Sequence, residues 1–373
     1  MKSPSTYTAG MRRLVLLAIS IVLGVPILLV ASPRSQTVAS ARNVILITID
    51  GLRWQEFFGG ADREYFKRDR NGSGGEPERR FWRDSPNDRR SLLMPFMWTT
   101  LAKQGQIFGD PALNSSSRVT NGLWFSYPGY SEMFVGAADA AIDSNNKVPN
   151  PNVTVLEWLN GRTGFAGRVA AFGSWDVLPS ILNTDRSRIP VGNAWQPSPQ
   201  PSTDRAREIN QLANDLPRYW GYGPFDAPIV YAAIDHLRTK QPRVLYLMLG
   251  EGDEWAHEGR YDLYLDATLR ADRFIQRIWD TVQSLPAYAN QTALIITTDH
   301  GRGATTKDWT DHGRDVPAAD RTWMAFIGSG IPALGVRKST TVTTSQIAAT
   351  MAILVGEKFE GVTRPAAPAI QLR

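Results

Sequence analysis

"IITTDHGRG", residues 295–303, carries an apolar, β-branched run straight into an aspartate, a histidine and two glycines. Residues 293–298 have the composition of a strand covered on both faces, which is how the strands of parallel sheets are buried. In open α/β sheets ligands gather beyond the carboxyl ends of such strands. Asp299 and His300 would then offer a carboxylate oxygen and an imidazole nitrogen together at that rim. Taken alone, the dipeptide reads equally well as a polar turn with a surface histidine. What decides between the two is whether other strands deliver matching groups to the same place.

Four more runs read as strands: "NVILITI" (43–49), "RVAAFG" (168–173), "RVLYLMLG" (243–250) and "TWMAFIG" (322–328). Between them lie helical patterns. Residues 261–282 set Tyr261, Leu265, Leu269, Ile275, Ile278 and Val282 on one stripe, and 226–239 and 344–355 are similar. Alternation of this kind predicts a three-layer α/β/α sandwich around a mostly parallel central sheet. The 373 residues are consistent with one such unit, read here as a single domain over 42–373. Residues 61–90 carry 16 charged residues and the cluster "NGSGG". This insertion, near 60–90, is expected to be a solvated loop, with a lid over the rim as the alternative. Residues 193–204, rich in Pro and Ser, read as a second long loop.

The first forty residues differ in kind. Arg12 and Arg13 precede the apolar run 14–31, and "ASA" follows at 39–41, the pattern of an export signal. The run is also long enough to span a bilayer, so residues 1–41 are expected to be either a cleaved signal peptide or an N-terminal membrane anchor. Either way the remainder would be exported, to the periplasm or beyond. Residues 1–41 contain Lys2, Arg12, Arg13, Arg34 and no acid, so without them the net charge falls from +5 to +1. The basicity belongs to the targeting segment, and no basic stripe with interleaved aromatics argues for nucleic-acid binding. With no cysteine in the chain, any zinc must be held by histidine and carboxylate.

Those residue types recur at strand ends. "ITIDGLR" places Asp50 after the first strand as Asp299 follows its own. "LGEGDEWAHEG" gives Asp253 and His257 one helical turn apart, and "DWTDHGRDV" supplies His312. The fourth histidine, His236, falls within a predicted helix and reads as an ordinary helix residue. Together Asp50, Asp253, His257, Asp299, His300 and His312 offer enough oxygen and nitrogen ligands for two divalent ions with open positions for substrate. Imidazole mixed with carboxylate suits zinc, with manganese or iron as alternatives. Between two such ions a nucleophile is needed, and "LWFSYPGYSEMFVG" (123–136) sets Ser126 at the start of a helix-like segment, where backbone N–H groups could support an oxyanion. Ser131 competes with it, but "GYSEM" lacks the last glycine of a nucleophile elbow.

This ordered pattern resembles the alkaline phosphatase superfamily, particularly its nucleotide pyrophosphatase/phosphodiesterase-like branch, over about residues 43–355. The resemblance implies an alkaline phosphatase-like fold. It also implies one metal held by Asp253, His257 and His312, and a second by Asp50, Asp299 and His300 with the Ser126 oxygen. In that branch the nucleophile is usually a threonine in a T-F-P-N setting; here "SYPG" puts Gly129 in the asparagine place. A family asparagine that binds a phosphoryl oxygen would correspond to Asn145 or Asn146. Sulfatases share the metal architecture but mature a Cys or Ser in C/S-x-P-x-R. Ser126 and Pro128 fit that motif, while Tyr130 stands at the arginine position, which argues against formylglycine.

The function expected is therefore an exported two-metal hydrolase of small phosphoric esters, mono- or diester, acting through a phosphoseryl intermediate on Ser126. The alternatives are a sulfatase-like hydrolase, a phosphotransferase and a non-catalytic metal-bound surface protein. Arg53, Trp54, Trp124 and Trp175 are candidates for the outer pocket.

Overall fold

The strand β1 (Asn43–Ile49) is buried along its whole length, and its successive side chains point to opposite faces. Ile45, Ile47 and Ile49 enter one hydrophobic core, Val44 and Leu46 another. A strand dry on both faces must lie between two helical layers. The computed structural model describes residues 41–66, 75–223 and 225–373, which fall in one compact unit, Ala39–Arg373. The expected signal or anchor, including its apolar run 14–31, lies outside the described residues. No described helix is long and apolar enough to cross a membrane.

The remaining strands are β2 (Gly105–Phe108), β3 (Ser116–Arg118), β4 (Val169–Gly173), β5 (Val191–Asn193), β6 (Val244–Leu249), β7 (Thr292–Thr297), β8 (Met324–Gly328), β9 (Gly335–Val336) and β10 (Thr341–Thr343). Eight of them form one sheet in the order β5-β4-β6-β1-β7-β8-β2-β9, and β3 pairs with β10 apart from it. From β5 to β7 every neighbour is parallel, while β8 runs antiparallel to both β7 and β2. Helices Asp226–Thr239 and Tyr261–Ser284 cover one face through Ile229, Leu237, Leu265 and Ile275. Ser126–Val135 and Ile347–Leu354 cover the other through Met133, Phe134, Ile347 and Met351. This is the expected α/β/α sandwich.

Register sets where the chemistry emerges. Ile49 pairs with Leu249, and Thr48 with Thr297, so β6, β1 and β7 finish nearly level. Asp50, the 250–253 turn and Asp299 leave the sheet side by side.

The charged stretch 61–90 departs from the loop expectation. Its described part folds into helices Arg63–Phe66, Glu76–Phe81 and Pro86–Leu93. The physical reason is aromatic anchoring: Tyr65, Phe66 and Phe81 are buried in the same core as β1, and Tyr65 packs edge-on against Trp309. None of its described residues lines the rim cavity, so the lid alternative gains no support.

Candidate metal centre

Asp50, Asp299 and His300 converge first. Residue His300 is fully buried; its Nδ1 lies 2.8 Å from the Gly301 carbonyl and donates to it, so Nε2 is the nitrogen that faces the ligand site and would give up its proton to a bound cation. That Nε2 is 3.3 Å from Asp50 Oδ1 and 3.4 Å from Asp299 Oδ2. Both of these oxygens are buried without a hydrogen-bond partner. Their other oxygens are tied down, Asp50 Oδ2 accepting from the Tyr130 hydroxyl at 2.9 Å and Asp299 Oδ1 from Gly51 N–H at 3.2 Å. Two buried carboxylates turned toward one point carry a desolvation cost that a cation there would relieve. Burial, and then the negative charge of Asp50, push the Asp299 carboxyl well above its ordinary range.

The second group is built from Asp253 and His257 of helix Glu251–His257 and from His312. Nε2 of His257 lies 3.1 Å from Asp253 Oδ2 and 3.1 Å from His312 Nε2. Two imidazole nitrogens this close face each other comfortably with a cation between them. Zinc–nitrogen bonds of about 2.05 Å in a tetrahedron set nitrogens about 3.3 Å apart. Burial, and then the positive charge of His300, hold His312 well below the ordinary imidazole pKa, so it is neutral and competent as a ligand. The two groups touch. Ligand atoms of Asp253, His300 and His312 also lie within 4.8 Å of one another, so His300 stands at the junction of the two groups, closer to the second one than the resemblance implied. The donor set fits two divalent ions of borderline hardness.

Ser126 begins the helix Ser126–Val135, and its Oγ is 3.3 Å from His300 Nε2. The amide cradle expected at this helix start is small. Tyr127 N–H goes to Asn145 Oδ1 at 3.0 Å, Pro128 has no N–H, and Gly129 N–H closes on the Phe125 carbonyl. Asn145 lines the cavity with its Nδ2 still free to donate; Asn146 is exposed and does not line it. Ser131 is buried away from the centre and accepts from Asn150.

A cavity of about 460 Å3 opens over the centre, walled by Trp175, Trp220, Tyr222 and Glu254 and by the Lys147–Asp176 ion pair. Of the four outer-pocket candidates, Trp175 alone lines it. Arg53 is buried in an ion pair with Glu56 and donates to the Gly303 carbonyl, Trp124 lies off the cavity, and Trp54 lines a different one. His236 is the plain helix residue expected, edge-on to Phe172.

Sequence reading missed Arg302. Its guanidinium is buried, pairs with Asp253 Oδ1 and the Asp253 carbonyl, and reaches the Thr310 carbonyl. It therefore links the β7 exit, the Asp253 helix and the loop that carries His312. Gly51 makes room for this pair: its φ is +58°, and a Cβ there would sit 2.2 Å from Asp253 Oδ1. The only sequence signal was a charged residue two places past a candidate ligand.

Residues 226–319 match the metalloenzyme superfamily. No curated protein matches the sequence. Among solved structures, an alkaline phosphatase superfamily protein from Vibrio parahaemolyticus superposes with a TM-score of 0.51 at 13% identity, covering 88% of this chain and 71% of that one. The phosphonate monoester hydrolase of Agrobacterium radiobacter gives 0.53 at 12%, covering 84% and 73%, and a 2-O GAG sulfatase gives 0.51 at 14%, covering 86% and 71%. The chain therefore has the fold of alkaline phosphatase superfamily proteins, and its 226–319 segment, which carries Asp253, His257, Asp299, His300 and His312, matches the metalloenzyme superfamily.

Proposed function

We propose that the protein is a two-metal hydrolase of phosphoric esters with Ser126 as its nucleophile. The observation that carries this reading is the placement of Ser126 Oγ, nearly buried, 3.3 Å from His300 Nε2 and beside two unpartnered carboxylate oxygens. Asp50, Asp299 and His300 would hold one ion and Asp253, His257 and His312 the other. When bound, divalent ions would supply Lewis acidity for the ester's non-bridging oxygens and favour the ionised form of a serine hydroxyl. Ser126 Oγ bonds to phosphorus as the bond to the leaving oxygen breaks, and water then hydrolyses the phosphoseryl ester. Asn145 Nδ2 donates to a non-bridging oxygen. Tyr130 and Arg302 hold Asp50 and Asp253 in place through one oxygen each, leaving the other for ligation.

Sulfate esters are the competing substrate class, since a solved 2-O GAG sulfatase shares the fold. Against them, Tyr130, at the position of the sulfatase motif's arginine, is buried and committed to Asp50. We also propose zinc as the metal and export through residues 1–41. The test is the rate on a nitrophenyl phosphate diester, the matching monoester and the matching sulfate, using zinc-loaded protein. The reading expects at least one phosphate ester to turn over 100-fold or more faster than the sulfate. A sulfate-only activity would contradict it.

A further inference from the structure

A second cavity, of about 340 Å3, opens at the same end of the sheet. It adjoins Gly109, just past β2, whose Phe108 pairs with Met324 at the start of β8; Met324 in turn pairs with Thr297 at the end of β7. The two cavities share no lining residue. Their linings also differ in charge. Five carboxylates line the metal cavity, namely Asp50, Asp176, Glu251, Asp253 and Glu254. No Asp or Glu lines the second, which is walled by Arg118 and Arg321, by Ser117, Thr322 and Thr341, and by Trp54.

Three features of this lining ask for an acceptor. Arg118 and Arg321 face each other across an antiparallel bridge, and like charges directly opposite destabilise such a pair. Asp320 compensates Arg118. Among the described residues no carboxylate pairs with Arg321, whose guanidinium lies 5.9 Å from the Trp54 ring. The Trp54 Nε1–H is buried with no acceptor, an unmet donor that an acceptor in the cleft would satisfy. The hydroxyls of Ser117 and Thr322 share one hydrogen bond of 2.6 Å, so the pair keeps one O–H to donate outward.

We propose that this cleft binds an oxyanion. Arg321 and Arg118 would supply charge-assisted hydrogen bonds, and the Trp54 indole and the Ser117–Thr322 pair neutral ones. The volume falls in the range of small-molecule pockets, large enough for an oxyanion carried on a small organic group as well as for a free ion. Neither case depends on the hydrolase reading.

Binding of inorganic sulfate and of glucose 6-sulfate to the zinc-loaded full chain is measured by calorimetry for the wild type, Arg321→Gln, Arg321→Lys and Trp54→Phe. The expected result is a binding component weakened 10-fold or more by Arg321→Gln, partly restored by Arg321→Lys, and weakened several-fold by Trp54→Phe, which removes one N–H. Tighter binding of glucose 6-sulfate than of sulfate assigns the site to an organic anion; equal affinities assign it to the free ion. If Arg321→Gln does not fold, Trp54→Phe decides alone. Heats that these variants leave unchanged, or no binding at millimolar ligand, would overturn the proposal.

Discussion

At the level of single residues, the centre is defined by two buried carboxylate oxygens that have no hydrogen-bond partner inside the chain. Asp50 Oδ1 and Asp299 Oδ2 are buried and unpaired while their sister oxygens are bonded, which is the arrangement of a ligand set held by its surroundings. Arg302 is the residue whose role is most readily separated from ligation. In Arg302→Met the Asp253 carboxylate loses its buried counter-charge and the His312 loop loses an anchor. Metal titration should then show one of two equivalents weakened by about 10–100-fold, with the other unchanged. Unaltered binding of both would mean that Arg302 is packing and nothing more. The candidate ligands could be picked out because Asp and His stand at the ends of apolar runs, where the alternatives are few. Arg302 was not legible, because its meaning comes from Asp253, forty-nine residues away. The same is true of Asn145, whose role depends on which of two adjacent asparagines the turn carries inward.

The elements of secondary structure were readable in proportion to their length and burial. β1 spans the run 43–49 as read, and Tyr261–Ser284 follows its apolar stripe. β2, β5, β9 and β10 have four residues or fewer, too short to show a period of two. The 61–90 segment misled because its charge count outweighed three aromatic anchors. The helix Asp226–Thr239 carries a prediction of its own. His236 is half-buried against Phe172, and burial, followed by Lys240, lowers its pKa to about 4. A histidine held below its unfolded value of about 6.5 binds fewer protons in the folded state than in the unfolded one. Stability is therefore complete above about pH 6.5 and falls as the pH drops toward 4. His236→Phe should flatten this acid limb, recovering on the order of 2 kcal/mol at pH 4 in denaturant unfolding. An unchanged limb would assign the acid sensitivity to other groups.

For the whole molecule, the level ends of β6, β1 and β7 place four carboxylates or imidazoles from distant parts of the chain in one buried volume. Folding the metal-free chain gathers carboxylates that Arg302 and His300 offset only in part, so metal binding and stability are linked. Chelation should lower the melting temperature, and restoring the metal at about 100 times its Kd should recover about 2.7 kcal/mol. A melting temperature indifferent to chelator would show that the cluster is balanced by its own protons. The order of the sheet was not predictable from the chain, since a parallel sheet reveals its strands in sequence but its neighbours only through packing. That the ligand-bearing strands are adjacent was implied by the chemistry they share.

The central claim is that Ser126 carries the reaction and does not merely cap a helix beside a metal site. The measurement that bears on it most directly compares Ser126→Ala with the wild type for bound zinc and for turnover of a nitrophenyl phosphate ester. The account predicts two zinc equivalents in both proteins and a loss of about 1,000-fold or more in kcat for the variant. Turnover near the wild-type rate with both metals bound would contradict it.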